Sequence, residues 1–124
     1  MVDLRITVGD RELTATWIDD APETRAALEA ALPVAGDGIR WGDELYFDLA
    51  LDVPPENASE VVPEGAVTYW PDGNKLCLFW GKTPASVDDE PRAAAPVTVV
   101  ARLENVSALA ELDGGTRVQL ERAE

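Results

Sequence analysis

The sequence predicts a mainly β domain. Three observations carry this: short alternations of apolar and polar residues recur along the chain, turn residues separate them, and only two segments carry helical spacing. About seven or eight short strands should close into a barrel or fold into a sandwich. The chain has 124 residues, enough for one hydrophobic core, so 1–124 is read as a single domain.

Val2, Leu4, Ile6 and Val8 share one face of a first strand, and Leu13, Ala15 and Trp17 share one face of a second. Gly9-Asp10 turns the chain between them, which makes a hairpin. Asp20 with Glu23 three residues later reads as a capping box, and Pro22 suits a first helical turn. Ala27, Leu28, Ala31 and Leu32 then form one stripe, ended by Pro33. Residues 36–42 read as a turn-rich connector around Ile39, Arg40 and Trp41. ELYFDLAL at 44–51 is strand-like, with Leu45, Phe47, Leu49 and Leu51 on one face, until Pro54-Pro55 stops it.

Ala66–Trp70 and Lys75–Trp80 flank Pro71-Asp72-Gly73-Asn74, a second hairpin in which Gly73 is expected to supply the positive φ. The run Leu76 to Trp80 is apolar throughout, as in a strand covered on both faces. Residues 83–96 read as a loop and Val97–Leu103 as a strand. Asn105 is placed to cap a short helix carrying Leu109 and Leu112, ended by Gly114-Gly115, and Thr116–Leu120 is a last strand.

Composition excludes several classes of function. With 24 acidic and 10 basic side chains the net charge is −14, which disfavours nucleic acid and anionic membrane surfaces as partners. The absence of histidine removes His-based nucleophile systems and His zinc sites. The single cysteine, Cys77, reads as a small buried thiol. Gly81-Lys82-Thr83 lacks the spacing of a phosphate loop, and Gly81 reads as a strand exit. Asp19-Asp20 and Asp88-Asp89-Glu90 lack the spacing of a calcium loop. No metal, no cofactor and no catalytic residue is expected. No basic segment followed by an apolar one opens the chain, so a cytoplasmic protein is expected.

WGDELYF at 41–47 and GAVTYWPDGNKLCLFWGKTP at 65–84 resemble the small prokaryotic cyclophilin-like proteins, a largely uncharacterised family built on a minimal cyclophilin fold. The order of elements agrees over nearly the whole chain. The resemblance implies a closed barrel of about eight strands with a short helix at each mouth. It transfers no activity. The histidine-arginine pair of true cyclophilins is missing, the sole glutamine is Gln119, and Arg40 stands only roughly where their arginine would. The acid excess points to a haloarchaeal member of the family, with a carboxylate surface suited to concentrated salt.

The functional expectation is a non-catalytic binding module with an apolar aromatic groove for a small molecule or peptide. Its candidate residues are Arg40, Trp41, Phe47, Tyr69, Trp70 and Trp80. The alternative is a divergent peptidyl-prolyl cis-trans isomerase in which Arg40 donates to the twisted amide. A third use of the same groove is burial of another subunit. The salt expectation is checked by thermal melting: the midpoint should rise from dilute buffer to molar KCl, and indifference to salt would remove it.

Overall fold

The computed structural model describes residues 3–111 and 116–123. Val2, Leu112 and Gly114-Gly115 lie outside the described residues. Leu4–Val8 (β1) and Arg11–Trp17 (β2) form the first hairpin, with Leu4 opposite Ala15 and Val8 opposite Arg11. Gly9 takes φ +63° in its turn, a backbone conformation that costs glycine little. As the alternation requires, Leu4, Ile6 and Val8 are fully buried.

Helix α1 spans Pro22–Ala31, starting on proline. Its cap is not the local box: Ala21 stands at the N-cap and makes no side-chain cap bond. The Glu56 carboxylate, 32 residues away, accepts from the Thr24 N–H at 2.7 Å, the Thr24 hydroxyl at 2.8 Å and the Glu23 N–H at 3.2 Å. A carboxylate at the positive end of a helix serves the same free donors that a local cap would. These bonds hold Glu56 below the usual carboxylate range, against a desolvation that raises it.

The connector expected at 36–42 is a strand instead, Val34–Arg40 (β3). Its glycines are there for space. A Cβ on Gly36 would stand 2.6 Å from the Phe47 ring, and one on Gly38 would stand 2.8 Å from the Thr116 carbonyl. β4 (Glu44–Asp48) is shorter than expected, and Ser59–Val61 (β5) is an added short strand.

The central hairpin is Ala66–Trp70 (β6) with Lys75–Phe79 (β7), and its register runs from Val67–Leu78 to Trp70–Lys75. In its turn the positive φ falls on Asn74, at 53°, not on Gly73. Gly73 lacks a side chain because the Trp70 ring lies over it, 2.4 Å from where a Cβ would be. β8 starts at Arg92, five positions earlier than expected, and runs for 12 residues to Leu103. The second helix reduces to one 3₁₀ turn at Leu109–Glu111, while the Asn105 carboxamide accepts from Ser107 instead of starting a helix. β9 is Thr116–Arg122.

Among the described residues nine strands form one antiparallel order, β2-β1-β9-β3-β4-β7-β6-β8-β5, and β2 also pairs with β8. This makes a ring of eight strands with β5 outside it. It falls short of the expected closed barrel, because two seams are short. β3 and β4 share two residue pairs, Ile39–Tyr46 and Arg40–Leu45, and β2 meets β8 over Ala15–Trp17.

Two cores result. The ring interior holds Leu4, Ile6, Leu45, Phe47, Leu76 and Leu78 among others, with Leu28 of α1 and Leu109 of the 3₁₀ turn reaching into it. A second cluster lies on the outer face of β4, β7, β6 and β8: Val62, Ala66, Cys77, Phe79, Ala93 and Val97. The run Leu76 to Trp80 is therefore covered on both sides.

Tyr69 anchors the exit from β4. Its hydroxyl accepts from the Leu51 N–H at 2.7 Å and donates to the Leu49 carbonyl at 2.8 Å. Tyr69→Phe would leave a buried amide unpaired. The expected cost is about 1–3 kcal/mol in denaturant unfolding, with the fold retained.

Candidate functional site

The outer face of the β4–β7–β6–β8 sheet carries a cavity of about 240 Å³. Strand alternation decides what lines it. With Leu45 and Phe47 turned into the ring, Glu44 and Tyr46 of β4 face outward. Opposite them stand Lys75 and Cys77 of β7, since Tyr46 pairs with Cys77 and Asp48 with Lys75. Trp70 of β6, at the hairpin end, supplies a third side, and Trp41 in the β3–β4 turn a fourth. The remaining wall is the first half of β8, Ala93 to Ala95 with Val97, whose small side chains leave the space open.

The polar groups at the cavity differ in what occupies them. Lys75 forms an ion pair with Asp48, which raises its pKa above the usual lysine value. Arg40, near the β3–β4 turn, donates to the Gly42 carbonyl at 2.8 Å and to the Asp43 carboxylate at 3.0 Å. Glu44 is 6% exposed, and among the described residues no lysine or arginine forms an ion pair with it. Burial pushes its carboxyl up to about 7, opposed only by a hydrogen bond with the Cys77 thiol. The thiol itself is driven well above its ordinary range, first by burial and then by the neighbouring Glu44. A thiol held that way is protonated and a poor nucleophile at neutral pH.

The six candidate residues divide between the two faces. Trp41 and Trp70 line the cavity. Phe47, Tyr69 and Trp80 point the other way and are at least 95% buried in the ring interior. Arg40 lies outside the cavity lining, with its guanidinium carbon 5.4 Å from the centroid of the Trp80 ring. The Trp80 indole N–H is buried without a partner among the described residues.

Sequence reasoning missed Glu44, Tyr46, Lys75 and Cys77 as cavity residues. The signal was present: once Leu45, Phe47, Leu76 and Leu78 are assigned inward, the residues between them must face out. Gly81-Lys82-Thr83 acts as a strand exit. A Cβ on Gly81 would stand 2.6 Å from the Asp43 carboxylate, and the Thr83 hydroxyl bonds the Arg92 carbonyl. In the acidic loop, the Glu90 carboxylate accepts from the Val87 and Asp88 N–H groups and from Arg92, all within 2.9 Å. Those donors hold it down at about 2.

An eight-strand ring with a helix against it and this order of elements defines a cyclophilin-like domain, and the chain belongs to the cyclophilin-like family, whose pattern matches residues 2–121. Among solved structures it is similar to the hypothetical protein AF2241 from Archaeoglobus fulgidus, determined in solution. The two share 40% identity over 98% of this chain and 95% of that one, with a TM-score of 0.81. No protein of curated function matches the chain. The family is shown, and no specific binding or catalytic role comes with it.

Glu44 makes stability depend on pH. Between its unfolded value of 4.5 and about 7 the folded chain holds a proton that the unfolded chain has released. Stability from this group therefore falls as pH rises through that window. Glu44→Gln should remove the fall, gaining on the order of 2–3 kcal/mol over the parent above the window and little below it. Denaturant unfolding of both proteins across the window measures the difference.

Proposed function

We propose that this domain is a non-catalytic binding module whose site is the outer-face cavity. The observation that carries the reading is a buried carboxyl at the base of a cavity walled by Trp41, Tyr46 and Trp70. Ligand sites commonly pair an apolar, aromatic lining with a few placed polar groups, and that combination suits orientation of a ligand. The volume of about 240 Å³ favours a compact small molecule over a peptide. We place the module in the cytoplasm of a salt-accumulating cell, a reading supported by its net charge of −14.

The isomerase alternative has less support. Its proposed donor, Arg40, is engaged by Asp43 and Gly42 and lies outside the cavity. The Cys77 thiol, held protonated, offers no ready nucleophile.

A fragment screen followed through indole N–H signals tests the proposal. Bound fragments should shift Trp41 and Trp70 while leaving Trp17 and Trp80 in place. Ala94→Trp, at the exposed rim, should fill the space and abolish the shifts. Fragments that bind the variant as well as the parent would move the site elsewhere.

A further inference from the structure

We infer that the cavity takes a small organic cation, an ammonium bearing apolar substituents, with Glu44 as its counter-ion and the rings of Trp41, Tyr46 and Trp70 as its walls. This rests on the binding reading above and names the ligand's charge.

Three facts select a cation. Aromatic faces attract positive charge, most strongly where water is excluded, and three such residues line one small space. The carboxyl among them is buried, and the nearby cations are taken: Arg40 by Asp43 and Lys75 by Asp48. A bound ammonium would supply the charge that Glu44 lacks. Finally, a chain of net charge −14 draws cations toward its surface and repels anions. An anionic ligand would have to detach Lys75 from Asp48 and also meet Glu44.

The groups facing Glu44 can be named by element. β7 contributes Cys77 and Lys75, β4 contributes Tyr46 and the Asp48 that holds Lys75, and β6 and β8 contribute Trp70, Ala93 to Ala95 and Val97, which do not titrate. Arriving positive charge has one group to ionise, the Glu44 carboxyl, so below neutrality binding releases a proton. Affinity therefore rises with pH through neutrality.

The test compares three probes of matched shape: choline, the neutral 3,3-dimethylbutan-1-ol, and the anionic 3,3-dimethylbutanoate. Binding is followed at fixed ionic strength through the Trp41 and Trp70 indole signals. Choline should bind at least about tenfold tighter than the alcohol above neutrality. Its affinity should fall by about tenfold from about pH 8.5 to pH 5.5, down to that of the alcohol, which holds steady. Glu44→Gln should erase both the preference and the pH dependence while keeping alcohol binding, which also reports that the variant is folded. Equal affinity for choline and the alcohol overturns the cation inference and leaves the binding module standing, as does tightest binding of the anion. No shift with any probe overturns both.

Discussion

Both faces of β7 have to leave water, and much of the molecule follows from that. Leu76, Leu78 and Trp80 enter the ring interior, where β1, β2, β3 and β9 complete the enclosure. Cys77 and Phe79 need a second cover on the outside. The ring cannot provide it, so the chain returns along β8 from Arg92, with β5 beside it, and lays Ala93 and Val97 over them. That cover is thin. Alanines at 93, 94 and 95 do not fill the space above Cys77, and the cavity is what remains.

Long-range polar bonds hold the connecting segments against this double core. Glu56 joins the segment after β4 to the start of α1, and its own N–H donates to the Thr98 hydroxyl. Tyr69 fixes residues 49–51 from inside the ring. Glu90 gathers the loop before β8 onto Arg92. Each of these acids or hydroxyls is surrounded by donors or acceptors. Glu44 is different, since it has a thiol beside it and aromatic residues around it. Burial without compensation is costly for a carboxylate, and strongly perturbed groups of this kind cluster at functional sites.

Much of the fold was legible in the residues. Both hairpins, α1 and the last strand announce themselves through alternation, turn chemistry and a proline at the helix start. The misreadings share a physical cause, namely contacts between residues far apart in sequence. Gly36 and Gly38 look like turn residues, yet they are bare because Phe47 and Thr116 approach them. Asp20 looks like the cap of α1, but Glu56 arrives from 32 residues away. Pro96 argues against a strand, although β8 runs through it beside the short β5. The site was half legible for the same reason. Aromatic content pointed to Trp41 and Trp70, but only pairing to neighbours shows that Phe47, Tyr69 and Trp80 turn away from them.

β8 also changes phase along its length. Val67 pairs with Ala101 but Thr68 pairs with Val99, so Val100 is an extra residue, a bulge. Before it, odd-numbered residues such as Ala93 and Val97 face outward; after it, Ala101 and Leu103 face the ring. One ribbon thus serves two compartments from separate stretches. Ancestral drift in the first stretch can recontour the chamber for a new guest while the scaffold's own packing stays as inherited.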